Sequence, residues 1–112
     1  MQARNSSLLH SITLDSQGFL SDRSQWNRDV ANALAEQDEL ALTPDHWEVI
    51  DIMRAFYAEF HTSPAIRAVV KLLKNRLGPA KGNSLYLQTL FPKGAAKQAA
   101  RIAGLPKPVK CT

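Results

Sequence analysis

A chain of 112 residues, 45% hydrophobic and 21% charged, is long enough to bury one self-sufficient core and has the composition of an ordinary globular domain. Its single cysteine excludes an internal disulfide and fits a reducing compartment, most simply the cytoplasm; no apolar run approaches a membrane span, and the N-terminal stretch lacks the features of a secretory leader. The net charge of +4 conceals a split, since all ten acidic residues lie at or before Glu59 while residues 61–112 carry ten Lys and Arg and no acid, an asymmetry that suits a polyanion, an acidic partner or simply a solvated basic face.

Residues 1–9 read as a frayed start. In "SITLDSQGFL" Ile12 and Leu14 alternate with polar residues, Asp15 to Gly18 supplies turn chemistry, and Phe19 and Leu20 return, which predicts a short β-hairpin. Helical spacing follows from Ser24 to Glu39, with Trp26, Val30, Ala33 and Leu34 on one face. "LTPDHW" restarts a helix: Thr43 can cap it, Pro44 suits its first position, and Asp45 favours the positive end of the dipole. That helix is expected to run to about Phe60, and its broad apolar stripe predicts the central, most buried element. Ser63 and Pro64 repeat the device for a helix ending at Gly78 and Pro79, so close to its predecessor that the two form a helix-turn-helix-like pair. A fourth helix follows "GN" and ends at Pro92; a fifth runs from Lys93 or Gly94 to Ala103 and stops at Gly104. The expected fold is mainly α: an orthogonal bundle of about five helices with a small N-terminal hairpin, a domain over residues 1–104 and a mobile arm over 105–112.

That arm, "LPKPVKCT", carries the only cysteine, Cys111, as the penultimate residue. An unperturbed thiol has a pKa of about 8.5, and Lys107 and Lys110 nearby favour the thiolate modestly. The arm holds no general base and no oxyanion device, so its chemistry is exchange: accepting sulfur as a persulfide or forming a mixed disulfide. Pro106 and Pro108 favour an extended polyproline conformation, and Gly104 allows a bend at the helix end; counted from Gly104, the sulfur projects on the order of 20 Å. An incidental surface cysteine is the plain alternative.

Lys93, Lys97 and Arg101 recur at spacings of four and predict a basic stripe that Lys107 and Lys110 extend toward the sulfur, a track for RNA phosphates or an acidic partner, or a solvated face. His10, His46 and His61 show no metal-ligand spacing with one another or with Cys111, so neither metal nor cofactor is expected. Asp45, Glu48, Asp51 and Glu59 read as a solvated face.

"SQWN" at 24–27, "LTPDHWEVIDIMRAFYAEFHTSPAIRAVVK" at 42–71 and "GNSLYLQTLFPKGAAKQAARIAGLPKPVKCT" at 82–112 together resemble the TusE/DsrC family of small sulfur-carrier proteins. The resemblance implies a helical domain with a small hairpin and a flexible arm. It also implies sulfurtransferase activity, with Cys111 as the persulfide-carrying residue. Members that serve sulfite reductase have a second cysteine eleven positions earlier; here that position is Ala100. A single-cysteine member resembles the TusE branch, which implies sulfur taken from a TusBCD-type complex, through TusD, and passed to the tRNA 2-thiouridylase MnmA for the wobble uridine. Two alternatives stand beside it: a carrier in sulfur oxidation or sulfite reduction, and a helix-turn-helix-like nucleic-acid-binding module.

Overall fold

The computed structural model describes residues 10–108. Five α-helices lie wholly within them: α1 (Arg28–Gln37), α2 (Pro44–Phe60), α3 (Ile66–Leu77), α4 (Ser84–Leu90) and α5 (Ala95–Ile102). None is long and apolar enough to cross a membrane.

Local capping chemistry sets most of the boundaries. Thr43 caps α2 in a reciprocal arrangement with His46, with Pro44 in the first turn as expected. Asn83 caps α4 by accepting from the Tyr86 amide, and α3 stops at Gly78. Two starts differ from the expectation. Asp22 caps a separate 3-10 turn over Arg23–Gln25 and Asn27 caps α1, so Trp26 stands in extended backbone before the helix instead of on its face. At α3, Ala65 precedes the first turn without any side-chain cap, and Ser63 is buried and turned elsewhere.

The predicted β-hairpin is not formed. The described residues contain a single antiparallel bridge between Leu14 and Leu20 and no strand. The turn is closed by the Asp15 carboxylate, which accepts the Gln17 and Phe19 amides at 2.8 and 2.9 Å, while Gly18 takes the left-handed φ of +85°. Backbone bonds from the Asp15 amide to Phe19 O and from the Ser21 amide to Thr13 O, both 2.8 Å, join the two arms around the single bridge, and the 3-10 turn at Arg23 leaves no length for pairing to continue. Phe19 and Leu20 are buried against the helices.

The hub is also not the helix predicted. Val49, Ile50 and Met53 of α2 are fully buried, but Phe60 at its end is 55% exposed. It is α5 that packs against all four other helices. Ala96, Ala99, Ala100 and Ile102 are buried on it, and the small alanine side chains let neighbouring backbones approach from several directions. Close approach recurs before α4, where a Cβ on Gly82 would lie 2.2 Å from Lys74 Cα of α3.

Candidate functional site

The site is built around the end of α5, where the chain leaves for the cysteine. Gly104 adopts φ +74°, its amide donates to Arg101 O (3.2 Å), and the Leu105 amide donates to Ala100 O (2.9 Å). This is a Schellman closure, which places a hydrophobic residue just after the glycine. Leu105 is that residue and is 2% exposed. The segment assigned to the arm on sequence grounds therefore begins inside the core.

Three side chains from distant parts of the sequence fasten this exit. Trp26 Nε1 donates to Ile102 O at 2.9 Å. Arg54 lies 3.7 Å over the Trp26 ring and donates through Nη1 to Ala103 O at 2.6 Å. Burial lowers the pKa of Arg54 and Asp51 opposes the shift; the guanidinium stays cationic at neutral pH. Ser63 Oγ donates to Pro106 O at 2.5 Å. Pro106 and Lys107 are exposed, and Pro108 is buried again. Sequence reading missed Trp26, Arg54 and Ser63 in these roles, because each was assigned to its own helix. The one local clue was a glycine followed by leucine at the helix end.

Gly104 is held by more than its backbone angle. A Cβ there would lie 2.3 Å from Trp26 Cδ1. Gly104→Ala is expected to lower stability by about 2 kcal/mol, from the left-handed backbone and the overpacked ring together. Denaturant titration at constant m-value checks this; an unchanged midpoint would show that the exit does not need glycine.

Pro108 and Lys107 form one wall of a groove of about 330 Å³. Its other walls are Ile66 of α3, Ser84 and Gln88 of α4, and Gly94 to Lys97 at the start of α5. A shallower depression of about 280 Å³ adjoins it through Ile66 and Ser84 and includes Arg67 and Val70.

The basic residues do not form one exposed stripe. Arg101 is turned inward, with its side chain 12% exposed, and pairs with Asp38 at 3.0 Å while donating to Leu34 O and Gln37 Oε1. Lys93 precedes α5 and lies 3.7 Å from the same Asp38. Lys97 and Lys107 are exposed and have no ion-pair partner among the described residues. Lys110 and Cys111 lie outside the described residues. Ala100 is fully buried, and its carbonyl accepts the Leu105 amide at the exit.

His46 belongs to the α2 cap and is buried: Nδ1 accepts the Thr43 amide at 3.0 Å and Nε2–H donates to Leu90 O at 2.8 Å, which ties α2 to α4. Among the described residues no group of three or more His, Cys, Asp or Glu is arranged to hold a metal. Asp45 and Glu48 are not merely a solvated face, for both pair with Lys81, at 3.3 and 2.8 Å.

The structure defines a small helical domain whose C-terminal exit is fastened by side chains from distant parts of the sequence. The family model described as "DsrC like protein" matches residues 8–112, and the chain belongs to that family. It is 57% identical to the sulfurtransferase TusE of Escherichia coli O6:H1 over 89% of this chain and 92% of that protein. It is 58% identical to the TusE of Photorhabdus laumondii over 89% and 90%. Among solved structures it is similar to Allochromatium vinosum DsrC, with TM-score 0.82, 46% identity and 90% of each chain covered. The oxidized γ-subunit of dissimilatory sulfite reductase (DsrC) from Archaeoglobus fulgidus gives TM-score 0.80 and 40% identity, covering 90% of this chain and 92% of that one. These likenesses support a sulfur-transfer role.

Proposed function

We propose that the chain is a persulfide carrier in a cytoplasmic sulfur relay, loaded at Cys111 by a TusBCD-type donor and discharged to an MnmA-type 2-thiouridylase that modifies the tRNA wobble uridine. The observation that carries this reading is the position of the only thiol, three residues beyond Pro108, on a chain whose exit is clamped by Trp26, Arg54 and Ser63. A clamped root limits the region in which the sulfur can be presented.

The steps are two thiol exchanges with no net oxidation. The Cys111 thiolate attacks the outer sulfur of a donor cysteine persulfide, a Cys111–S–SH persulfide forms, and the donor S–S bond breaks to release the donor thiolate. An acceptor cysteine thiolate then attacks the outer sulfur of Cys111, which leaves as thiolate. Lys107 and Lys110 favour that anion. Lys93, Lys97 and Lys107 remain candidates for docking in this reading; Arg101 is spent on Asp38 and serves the fold. The arm is counted from Pro108, so the reach to the sulfur is shorter than one measured from Gly104. Ala100 at the second-cysteine position favours the tRNA branch over sulfite reduction, since no internal disulfide can close.

Incubation of the full chain with a persulfidated donor is expected to add one sulfur atom to Cys111 by mass spectrometry, and later addition of the acceptor to remove it. A donor that discharges while Cys111 gains no mass would overturn the proposal.

A further inference from the structure

We propose that the groove bounded by Pro108 receives an acidic segment of the sulfur-donor protein, with one apolar side chain of that segment seated between α3, α4 and α5. The proposal rests on the carrier reading and adds the surface and the chemistry of its recognition.

Position is the first argument. Pro108 is the last described residue of the groove wall, and Cys111 follows by three residues, a span of at most about 10 Å. Any protein that brings a persulfide sulfur into contact with Cys111 must therefore come close to Pro108, at the edge of this groove. Most of the rest of the exit is occupied: Ile102, Ala103 and Pro106 already have their carbonyls bonded by Trp26, Arg54 and Ser63.

Charge is the second. Among the described residues the groove and its adjoining depression are lined only by residues between 66 and 108, a stretch without a single Asp or Glu. Lys97 and Lys107 stand at the main groove and Arg67 at the depression. The acidic residues that neutralise other parts of this half, Asp38, Asp45 and Glu48, are committed to Arg101, Lys93 and Lys81. Two lysines flanking an apolar floor match a carboxylate-bearing strand or loop, and the separated charges give it one register.

Shape is the third. The lining includes Ile66, Ala95 and Ala96, and Leu85, three residues before the lining Gln88 and so on its side of α4, is 73% exposed. A large exposed leucine next to an apolar groove is the anatomy of a protein contact, with an apolar centre and a charged rim. An RNA strand would call for aromatic platforms, and none of the groove residues is aromatic.

The test measures kcat/KM for loading Cys111 of the full chain from a persulfidated TusBCD-type complex, and, separately, the loading rate from glutathione persulfide. The readout is the ratio of the two. Lys97→Glu combined with Lys107→Glu, and independently the steric plug Gln88→Trp at an exposed site, are each expected to lower that ratio at least about tenfold, chiefly through KM. Lys71→Glu with Arg76→Glu, the same charge change on exposed α3 positions outside the groove, is expected to leave it within about twofold. An unchanged ratio in both groove variants would overturn the proposal. So would loss of tRNA binding with donor loading intact, which assigns the groove to RNA. A Gln88→Trp variant that loads faster from glutathione persulfide would assign it to the chain's own residues 109–112, with the same consequence. Wild type that takes sulfur from the small persulfide but not from the protein donor refutes the docking surface and leaves the carrier reading standing; wild type that takes it from neither refutes both.

Discussion

Replacement of Cys111 by serine is expected to abolish wobble-uridine 2-thiolation in cells where this chain is the only relay of its kind. The reason is chemical rather than structural. Sulfur exchange proceeds by a thiolate displacing a thiolate across an S–S bond, and a serine hydroxyl neither ionises near neutral pH nor forms that bond. No second cysteine exists to take over, because this sequence has only one. A docking defect behaves differently: weakening recognition tenfold corresponds to about 1.4 kcal/mol and is recovered at higher donor concentration. The serine variant has no concentration at which it recovers. Mass spectrometry of digested tRNA nucleosides checks this, with 2-thiolated wobble uridine falling to background. Full thiolation by the serine variant would show that the sulfur travels by another route, and the carrier reading would fall with it.

What the sequence disclosed about the fold was the part written locally. Thr43 with Pro44, Asn83, Gly78 and Gly104 each act on amides or carbonyls within a few residues, so the capping and stop chemistry can be read in place. The start of α1 was misplaced because Trp26 falls in helical register with Val30 and Leu34, yet its indole is claimed by Ile102, 76 residues away. The importance of α5 was hidden for a related reason. Apolar periodicity favours large side chains, and α5 earns its central place with alanines, whose value lies in what their smallness lets others do.

The site divides in the same way. A lone cysteine on a proline-bearing segment, with no histidine, acid or second cysteine near it in the sequence, leaves exchange chemistry open beside an incidental thiol. The fastening of its root is not legible there, since Trp26, Arg54 and Ser63 meet the exit only through the tertiary fold. Charge asymmetry was half a signal. Part of the basic half exists to bind the acidic half within the same domain, as Arg101 with Asp38 and Lys81 with Asp45 and Glu48 show. What remains without an ion pair among the described residues is a smaller set: Lys97 and Lys107 at the groove, with Arg67, Lys71, Lys74 and Arg76 along α3.

The Asp38–Arg101 pair gives the largest expected effect on stability. Both side chains are largely withdrawn from water, 17% and 12% exposed, and Gln98 adds a hydrogen bond to the same carboxylate. Arg101→Met removes the partner and three further hydrogen bonds, to Gly18 O, Leu34 O and Gln37 Oε1, and is expected to cost roughly 3 kcal/mol because a desolvated carboxylate is left with weaker company. Burial by itself pushes the Asp38 carboxyl up; the hydrogen bonds from Arg101 and Gln98 and the charges of Arg101 and Lys93 outweigh it and hold the group below the ordinary carboxylate range. A folded pKa below the unfolded value of about 3.9 means that the pair stabilises above that pH and that the contribution is lost as pH falls through the folded value. Wild-type stability is therefore expected to decline on acidification below about pH 4 by more than that of Asp38→Asn, which has no carboxyl to titrate. The double variant should cost less than the sum of the single ones, since removing both partners leaves no unpaired charge. Chemical denaturation across pH 3–7 for the four proteins measures both effects, and strictly additive costs with parallel pH curves would show that the pair contributes nothing beyond the separate contacts of its members.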